Sequence, residues 1–150
     1  WDSETGNDFF DNSAKHLSEE LDKSLTRLGV ETIDLFYVHQ RDAHRPIEEE
    51  RQTLSTFIQA GKIQSFGFSE IAPSSLKRAS AIHHVAAVQS EYSLSVLGPE
   101  LGLVQATKQL ETAFVAFSTL GRSLLTDRHY TSQKIASIGF LKTHALSNQI

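Results

Sequence analysis

The sequence predicts an α/β fold, a partial (β/α)8 TIM barrel with about four βα units and parallel strands. Apolar segments typical of strands begin near residues 32, 63, 85 and 113, and amphipathic helical segments alternate with them. This order indicates successive βα units and a parallel sheet. A doubly wound sheet is the alternative, but the chain has neither the GxGxxG nor the Walker sequence that such folds use to bind phosphate. Because barrels usually need ~250 residues, this chain corresponds to about half of one.

The helices are predicted from apolar stripes and from the residue types at their ends. Leucines spaced by four and three residues mark a first helix, which Asn12 or Ser13 would cap and Gly29 would end. Pro46 opens the second helix, because its missing N–H costs nothing there, and Gly61 closes it. Two further helices are predicted over Pro73–His83 and Leu101–Leu110.

The strands are predicted from apolar, β-rich runs between these helices. The first run, Thr32–His39, shows little alternation of apolar and polar residues, which is typical of a strand covered on both faces. Glu111 lies in a tight turn before the last strand, where positive φ and glycine are usual. The other strands are predicted over Ile63–Ser69, Val85–Tyr92 and Ala113–Ser118.

Composition excludes several classes of function. The net charge is −4 and the chain has no Lys/Arg run, so no nucleic-acid partner is expected. Its apolar runs are far shorter than the ~18 residues that span a bilayer, so no membrane partner is expected. The absence of cysteine excludes disulfides and thiolate metal sites and fits a cytoplasmic protein. No metal site is predicted, since the acidic and histidine residues lack convergent spacing.

The domain is expected to be a single partial barrel over residues 1–150, with a loop over 1–12 and a weaker pattern over 122–150. The chain begins at Trp1 and contains no methionine, so it is expected to be either processed or cut from a longer protein, and we favour the second. A half barrel would expose the unpaired edges of its outer strands. Self-association, or pairing with a missing N-terminal half, is therefore expected.

The predicted strands all end in an abrupt change from apolar to polar residues. The carboxyl ends of parallel strands are where α/β enzymes keep their binding and catalytic groups. Taken alone, a histidine at such an end is more often a hydrogen-bonded structural residue. The four ends are His39–Asp42, Ser69–Glu70, Gln89–Tyr92 and Phe117–Gly121.

Four segments resemble the aldo-keto reductases, most like the fungal and bacterial branch. They are LDKSLTRLGVETIDLFYVHQRDAHRPIEE, GKIQSFGFSE, VAAVQSEYSL and FVAFSTLGRSLLT. They follow one another in the family's order and spacing, and the match covers about residues 13–126. The resemblance implies an NADP(H)-dependent oxidoreductase on a (β/α)8 barrel, which reduces aldehydes or ketones to alcohols.

The resemblance also implies a role for each strand end. His39 would be catalytic, since it would orient the substrate carbonyl and assist proton transfer. Ser69 and Glu70 take the positions of the serine and the amide that hold the nicotinamide carboxamide. The remaining positions implied to bind NADP(H) are Gln89, Phe117, which would stack on the nicotinamide, and Ser118, Leu120 and Gly121 along the pyrophosphate.

Some parts of the family pattern are replaced or missing. The tyrosine, lysine and aspartate that act with the histidine would precede Trp1, and the basic cluster for the 2′-phosphate would follow Ile150. Phe117 replaces a usual tyrosine, Thr119 a proline and Glu111 a glycine. The chain alone is therefore expected to be inactive. The alternatives are a non-catalytic nucleotide-binding or regulatory module on the same fold, and an inactive truncated fragment.

Overall fold

A computed structural model describes residues 10–127 except 43, 82 and 124. Within this part, four strands form one parallel sheet in the order β1-β2-β3-β4, and the helices alternate with them. The strands are β1 (Ile33–Val38), β2 (Ile63–Ser69), β3 (Ala87–Glu91) and β4 (Ala113–Phe117). The helices are α1 (Ala14–Leu28), α2 (Ile47–Gln59), α3 (Pro73–Ser80) and α4 (Leu103–Gln109), with short 3₁₀ turns at Gly98–Leu101 and Gly121–Ser123.

The ends of the first two helices follow the sequence signals. Ser13 caps α1, and its hydroxyl accepts from the His16 amide at 3.2 Å. Gly29 ends α1 with φ of 67°, and its N–H donates to carbonyls of the last turn. Pro46 lies at the N-cap of α2, one residue earlier than predicted, and Gly61 follows α2 with φ of 71°. These caps were therefore predicted to within one residue.

Three element boundaries differ from the prediction by two or three residues, and several others by one residue. The last helix begins at Leu103 rather than Leu101, because Gly102 has φ of 132° and separates it from the 3₁₀ turn. Helix α3 ends at Ser80, earlier than His83. Strand β3 begins at Ala87 rather than Val85, and the Val85 carbonyl accepts from the Thr112 hydroxyl at 2.9 Å. The predictions for residues 1–9 and 128–150 lie outside the described residues.

The helices cover one face of the sheet and make the core with it. Phe36 of β1 meets Phe57 of α2 edge to face, with ring centroids 6.4 Å apart. None of the helices in the described ranges is long and apolar enough to cross a bilayer. The buried core contains residues from every helix and from β1–β3, namely Leu17, Leu21, Val38, Leu54, Phe57, Phe66, Phe68, Leu76, Val88 and Leu103.

The opposite face of the sheet, called the inner face below, carries the alternate residues of each strand. Leu35 of β1 and Val115 of β4 are 36% and 39% exposed on it. The prediction that β1 is covered on both faces is therefore wrong for the described residues. Helices cover one face of β1, and Leu35 on the other face is exposed.

A buried ion pair braces the loop that follows β1. Glu50, in the first turn of α2, is fully buried, and its Oε1 lies 3.4 Å from Nε of Arg41. Arg41 also donates to the Ser75 hydroxyl at 3.3 Å and to the Arg45 carbonyl at 2.5 Å. Burial raises the pKa of Glu50 to about 7, although the Arg41 charge opposes this shift. The cluster ties the β1 loop to both α2 and α3.

Because Glu111 lies in a left-handed turn, we predict that a glycine at this position stabilises the fold. Glu111 is exposed and has φ of 54°, which confirms the positive φ expected at this position. A Cβ is strained there and glycine is not, so Glu111→Gly should raise the free energy of unfolding by about 1 kcal/mol. Urea denaturation followed by circular dichroism measures it.

Gly61 supplies the matched control for this substitution. It has φ of 71°, and an added Cβ would meet no atom within 4 Å, so Gly61→Ala introduces backbone strain alone. It should destabilise the fold by about 1 kcal/mol. A loss of stability in Glu111→Gly would contradict the assignment of strain to this turn.

The raised pKa of Glu50 should make the stability of the fold depend on pH. Its folded-state pKa of about 7 exceeds the ordinary value of 4.5, so the folded state holds an extra proton between these values. The stability contributed by this group is full below pH 4.5 and falls as pH rises to 7, by about 3 kcal/mol in total. Glu50→Gln keeps an acceptor for Arg41 and removes the titration, so its unfolding midpoint should change less between about pH 5 and pH 8.

The exposed neighbour Glu49 provides the control for that pH profile. Its side chain is 62% exposed, so Glu49→Gln should retain the slope of the wild-type chain. An equal slope in Glu50→Gln and wild type would show that Glu50 does not titrate in this range.

Candidate active site

In-register pairing places the candidate residues of neighbouring strands side by side on the inner face. Ser69 of β2 pairs with Gln89 of β3, and Gln89 pairs in turn with Val115 of β4. Two residues further along, Glu91 pairs with Phe117. Since successive side chains of a strand alternate between faces, all of these share the face opposite the helices. The register thus brings Ser69, Gln89 and Phe117 together at one end of the sheet.

His39 lies at the same end, on the first strand. It follows Val38, the last residue of β1, whose pairing partner Phe68 directly precedes Ser69. Its side chain is exposed and lines a cleft beside α1, together with His16 and Glu20. The sequence prediction that His39 stands at a strand end is confirmed, while its catalytic role stays a prediction.

The polar side chains at this end have unused hydrogen-bonding capacity. His39, Ser69 and Gln89 form no side-chain hydrogen bond with any residue in the described ranges. Ser69 is nonetheless 5% exposed, and Gln89 is only half-buried. Polar groups in such surroundings are normally hydrogen-bonded. The inner face therefore offers donors and acceptors to a ligand.

Glu70 joins the ends of β2 and β3. It has φ of 52°, uncommon for a non-glycine residue. Its N–H donates to the Gln89 carbonyl at 2.9 Å, and its Oε1 accepts from the Glu91 N–H at 2.7 Å. The Glu70 carboxylate thus extends the pairing of the two strands beyond Ser69. It lies next to the polar row rather than within it.

The loop after β4 makes a tight turn. Ser118 has φ of 52° and Gly121 φ of 56°, and the Gly121 N–H donates to the Ser118 carbonyl at 2.8 Å. The turn closes although Thr119 stands where proline is usual. The amides of Thr119 and Leu120 donate to no acceptor among the described residues. Leu120 itself is 58% exposed.

Tyr37 is an inner-face residue that the sequence reasoning missed. It pairs with Gly67, and a Cβ added at Gly67 would lie 2.7 Å from the Tyr37 ring and 2.6 Å from the Ala87 carbonyl. The ring therefore lies directly on the Gly67 backbone, one layer below Ser69. Burial raises the pKa of the Tyr37 hydroxyl. Its place two residues before His39, and a glycine inside a strand, are the signals that could have identified it.

Comparison with known proteins shows to which family the chain belongs. A model of the aldo/keto reductase family matches residues 5–139. An NADP(+) aldo-keto reductase of Schizosaccharomyces pombe is 39% identical over 126 residues, 82% of this chain and 37% of that protein. An aldo-keto reductase of Strobilurus tenacellus is 37% identical over 130 residues, 85% of this chain and 39% of that protein. The chain thus spans less than two fifths of the length of these relatives.

A solved structure supports the fold class. The glycerol dehydrogenase of Gluconobacter oxydans superposes with a TM-score of 0.80 and 26% identity, over 99% of this chain and 47% of that one. The four parallel strands with alternating helices therefore have the fold of part of a (β/α)8 barrel, as the sequence predicted. Fold, motif order and relatives agree, and the chain belongs to the aldo-keto reductase family.

Proposed function

We propose that this chain forms the part of an NADP(H)-dependent oxidoreductase that holds the nicotinamide and the substrate carbonyl. The whole protein would reduce aldehydes or ketones to alcohols. The name of the Schizosaccharomyces pombe relative, an NADP(+) aldo-keto reductase, supports the cofactor. The observation that carries the proposal is the pairing of Ser69 with Gln89 on the inner face, where neither side chain bonds to another described residue.

The residues at the strand ends fit a nicotinamide. Its carboxamide needs one acceptor and one donor at its edge, and its ring needs a flat apolar surface. Gln89 supplies both a carbonyl and an NH₂ group, and Ser69 supplies a hydroxyl. Phe117 lies on the adjacent strand, two residues beyond the partner of Gln89, and its ring is half-buried. An amide-type edge and a stacking face are thus present on neighbouring strands.

His39 is the residue proposed to act on the substrate. Its exposed imidazole, with no hydrogen bond to another described residue, is available to donate to a carbonyl oxygen. Such a bond would orient the carbonyl and stabilise negative charge that develops on its oxygen. When bound, NADPH supplies the hydride, and the side chains of this chain supply position and hydrogen bonds.

The turn from Ser118 to Gly121 is proposed to lie along the cofactor pyrophosphate. The amides of Thr119 and Leu120, which have no acceptor among the described residues, follow a residue with positive φ. Successive amides in such a turn form a concave surface that binds anions. This would hold the phosphates without a glycine-rich motif.

The inner face is proposed to be completed by the other half of a barrel or by a second copy of the chain. Leu35 and Val115 are exposed on this face, on the first and last described strands. Apolar side chains of this kind are buried in a closed barrel, where inward-pointing residues stack in layers. The cysteine-free composition favours the cytoplasm as the compartment.

NADPH titration tests the proposal. We expect the chain to enhance NADPH fluorescence when mixed with the amino-terminal half of the Schizosaccharomyces pombe relative. Gln89→Ala and Ser69→Ala should each weaken binding by about 3- to 10-fold, the cost of one or two hydrogen bonds. Carbonyl reduction should appear only in the mixture.

Gln64→Ala is the matched control, because Gln64 is an exposed residue near the opposite end of β2. It should leave NADPH affinity unchanged. Equal losses of NADPH affinity in Gln64→Ala and Gln89→Ala would show that the substitutions act on folding rather than on the site. No binding by the chain, alone or in the mixture, would contradict the proposal and favour an inactive fragment.

A further inference from the structure

Glu70 puts a negative charge beside Ser69 and Gln89, the two residues proposed to hold the nicotinamide carboxamide. The residue directly follows Ser69, and its N–H donates to the carbonyl of Gln89. It is thus bonded to one of the two residues proposed to hold the carboxamide and adjacent in sequence to the other. A nicotinamide held by Ser69 and Gln89 would lie within a few ångströms of this part of the backbone.

The orientation of Glu70 is fixed by its hydrogen bonds. Its Oε1 accepts from the Glu91 N–H at 2.7 Å, and its φ of 52° holds the side chain beside the strand ends. A backbone N–H is a neutral donor, so this bond brings no positive charge to the carboxylate. The remaining carboxylate oxygen makes no hydrogen bond within the described part of the chain.

The charge of Glu70 is not neutralised by an ion pair. Among the described residues, no lysine, arginine or histidine nitrogen lies within ion-pairing distance of its carboxylate. Its one side-chain hydrogen bond comes from a neutral amide. A cation that enters the site between β2 and β3 would therefore meet an uncompensated negative charge.

From this charge we infer that Glu70 discriminates between the two redox forms of the cofactor and favours the oxidised one. This rests on the proposed function. The nicotinamide ring is neutral in NADPH and cationic in NADP⁺, while the rest of the cofactor is the same in both. A carboxylate a few ångströms away attracts the cation and has little effect on the neutral ring.

The size of the effect follows from the exposure of Glu70, which lies at the surface. For two unit charges about 4 Å apart in a high-dielectric environment, the attraction corresponds to about a fivefold change in a dissociation constant. Closure of the site over the ring would increase it, and salt would decrease it. Glu70 would thus lower the Kd of NADP⁺ relative to that of NADPH by about fivefold.

The test compares the ratio of the two dissociation constants in wild type and in Glu70→Gln. NADP⁺ and NADPH are titrated calorimetrically into the chain mixed with the amino-terminal half used above. The glutamine side chain is isosteric with glutamate and still offers an oxygen to the Glu91 N–H. We expect this variant to weaken NADP⁺ binding about fivefold, to leave NADPH binding nearly unchanged, and to show less dependence of the ratio on salt.

Two further variants separate charge from structure. Glu70→Asn removes the charge with a residue that tolerates positive φ, so it should give the same shift even if Glu70→Gln folds poorly. Glu31→Gln removes one exposed carboxylate just before β1, at the opposite end of the sheet, and should leave the ratio unchanged.

The outcomes separate the two proposals. If both cofactor forms bind and neither Glu70 variant changes the ratio, the inference about Glu70 is overturned while the proposed function stands. If the variants weaken both forms equally, Glu70 is only a structural brace between β2 and β3, and the inference is again overturned. If neither form binds wild type, both proposals fail together.

Discussion

The pairing of β2 with β3 is the contact on which the candidate site depends, because it alone puts Ser69 beside Gln89. Only three residue pairs, from Gly67–Ala87 to Ser69–Gln89, define this part of the ladder. A shift of one residue would turn Gln89 toward the helices and bring Ser90 to the inner face. Two features resist such a shift. The Tyr37 ring and the Ala87 carbonyl close on Gly67 at one end, and Glu70 bonds to both Gln89 and Glu91 at the other.

Two of the four non-glycine residues with positive φ in the described ranges directly follow a strand. Glu70 and Ser118 have positive φ without being glycine, and each directly follows a strand that carries a candidate residue. Such conformations cost free energy and persist when the surroundings impose them, which is common at ligand sites. At Glu70 the two hydrogen bonds to β3 offset the cost, and at Ser118 the bond from Gly121 does so. Glu111 has the same conformation in an ordinary turn, so strain by itself does not identify function.

Local signals in the sequence predicted most of the fold. Caps such as Ser13 and Gly29, and the apolar run at β2, depend on neighbouring residues and were placed correctly. The strand-end positions of His39, Ser69 and Phe117 were also predicted, since the change from apolar to polar marks a strand end. Gln89, predicted at such an end, lies two residues before the end of β3. Their proposed roles are implied by the family resemblance.

The features that were missed depend on contacts between distant segments. The ion pair of Arg41 with Glu50, and its link to Ser75, joins three elements that no sequence period connects. A run of glutamates at a helix start gave no sign that one of them is buried with a pKa of about 7. The exposure of the inner face of β1 was likewise not predicted, because an apolar run looks the same whether or not a second layer covers it.

Nuclear magnetic resonance of the side-chain amide of Gln89 tests the central claim most directly. We expect NADPH, added to the isotope-labelled chain mixed with the amino-terminal half, to shift the Gln89 NH₂ resonances and the backbone amides of Ser69 and Glu70. The side-chain amide of Gln64, near the other end of β2, should stay in place. Shifts at Gln64 with none at Gln89, or shifts confined to the helices, would contradict a nicotinamide site at the carboxyl ends of these strands.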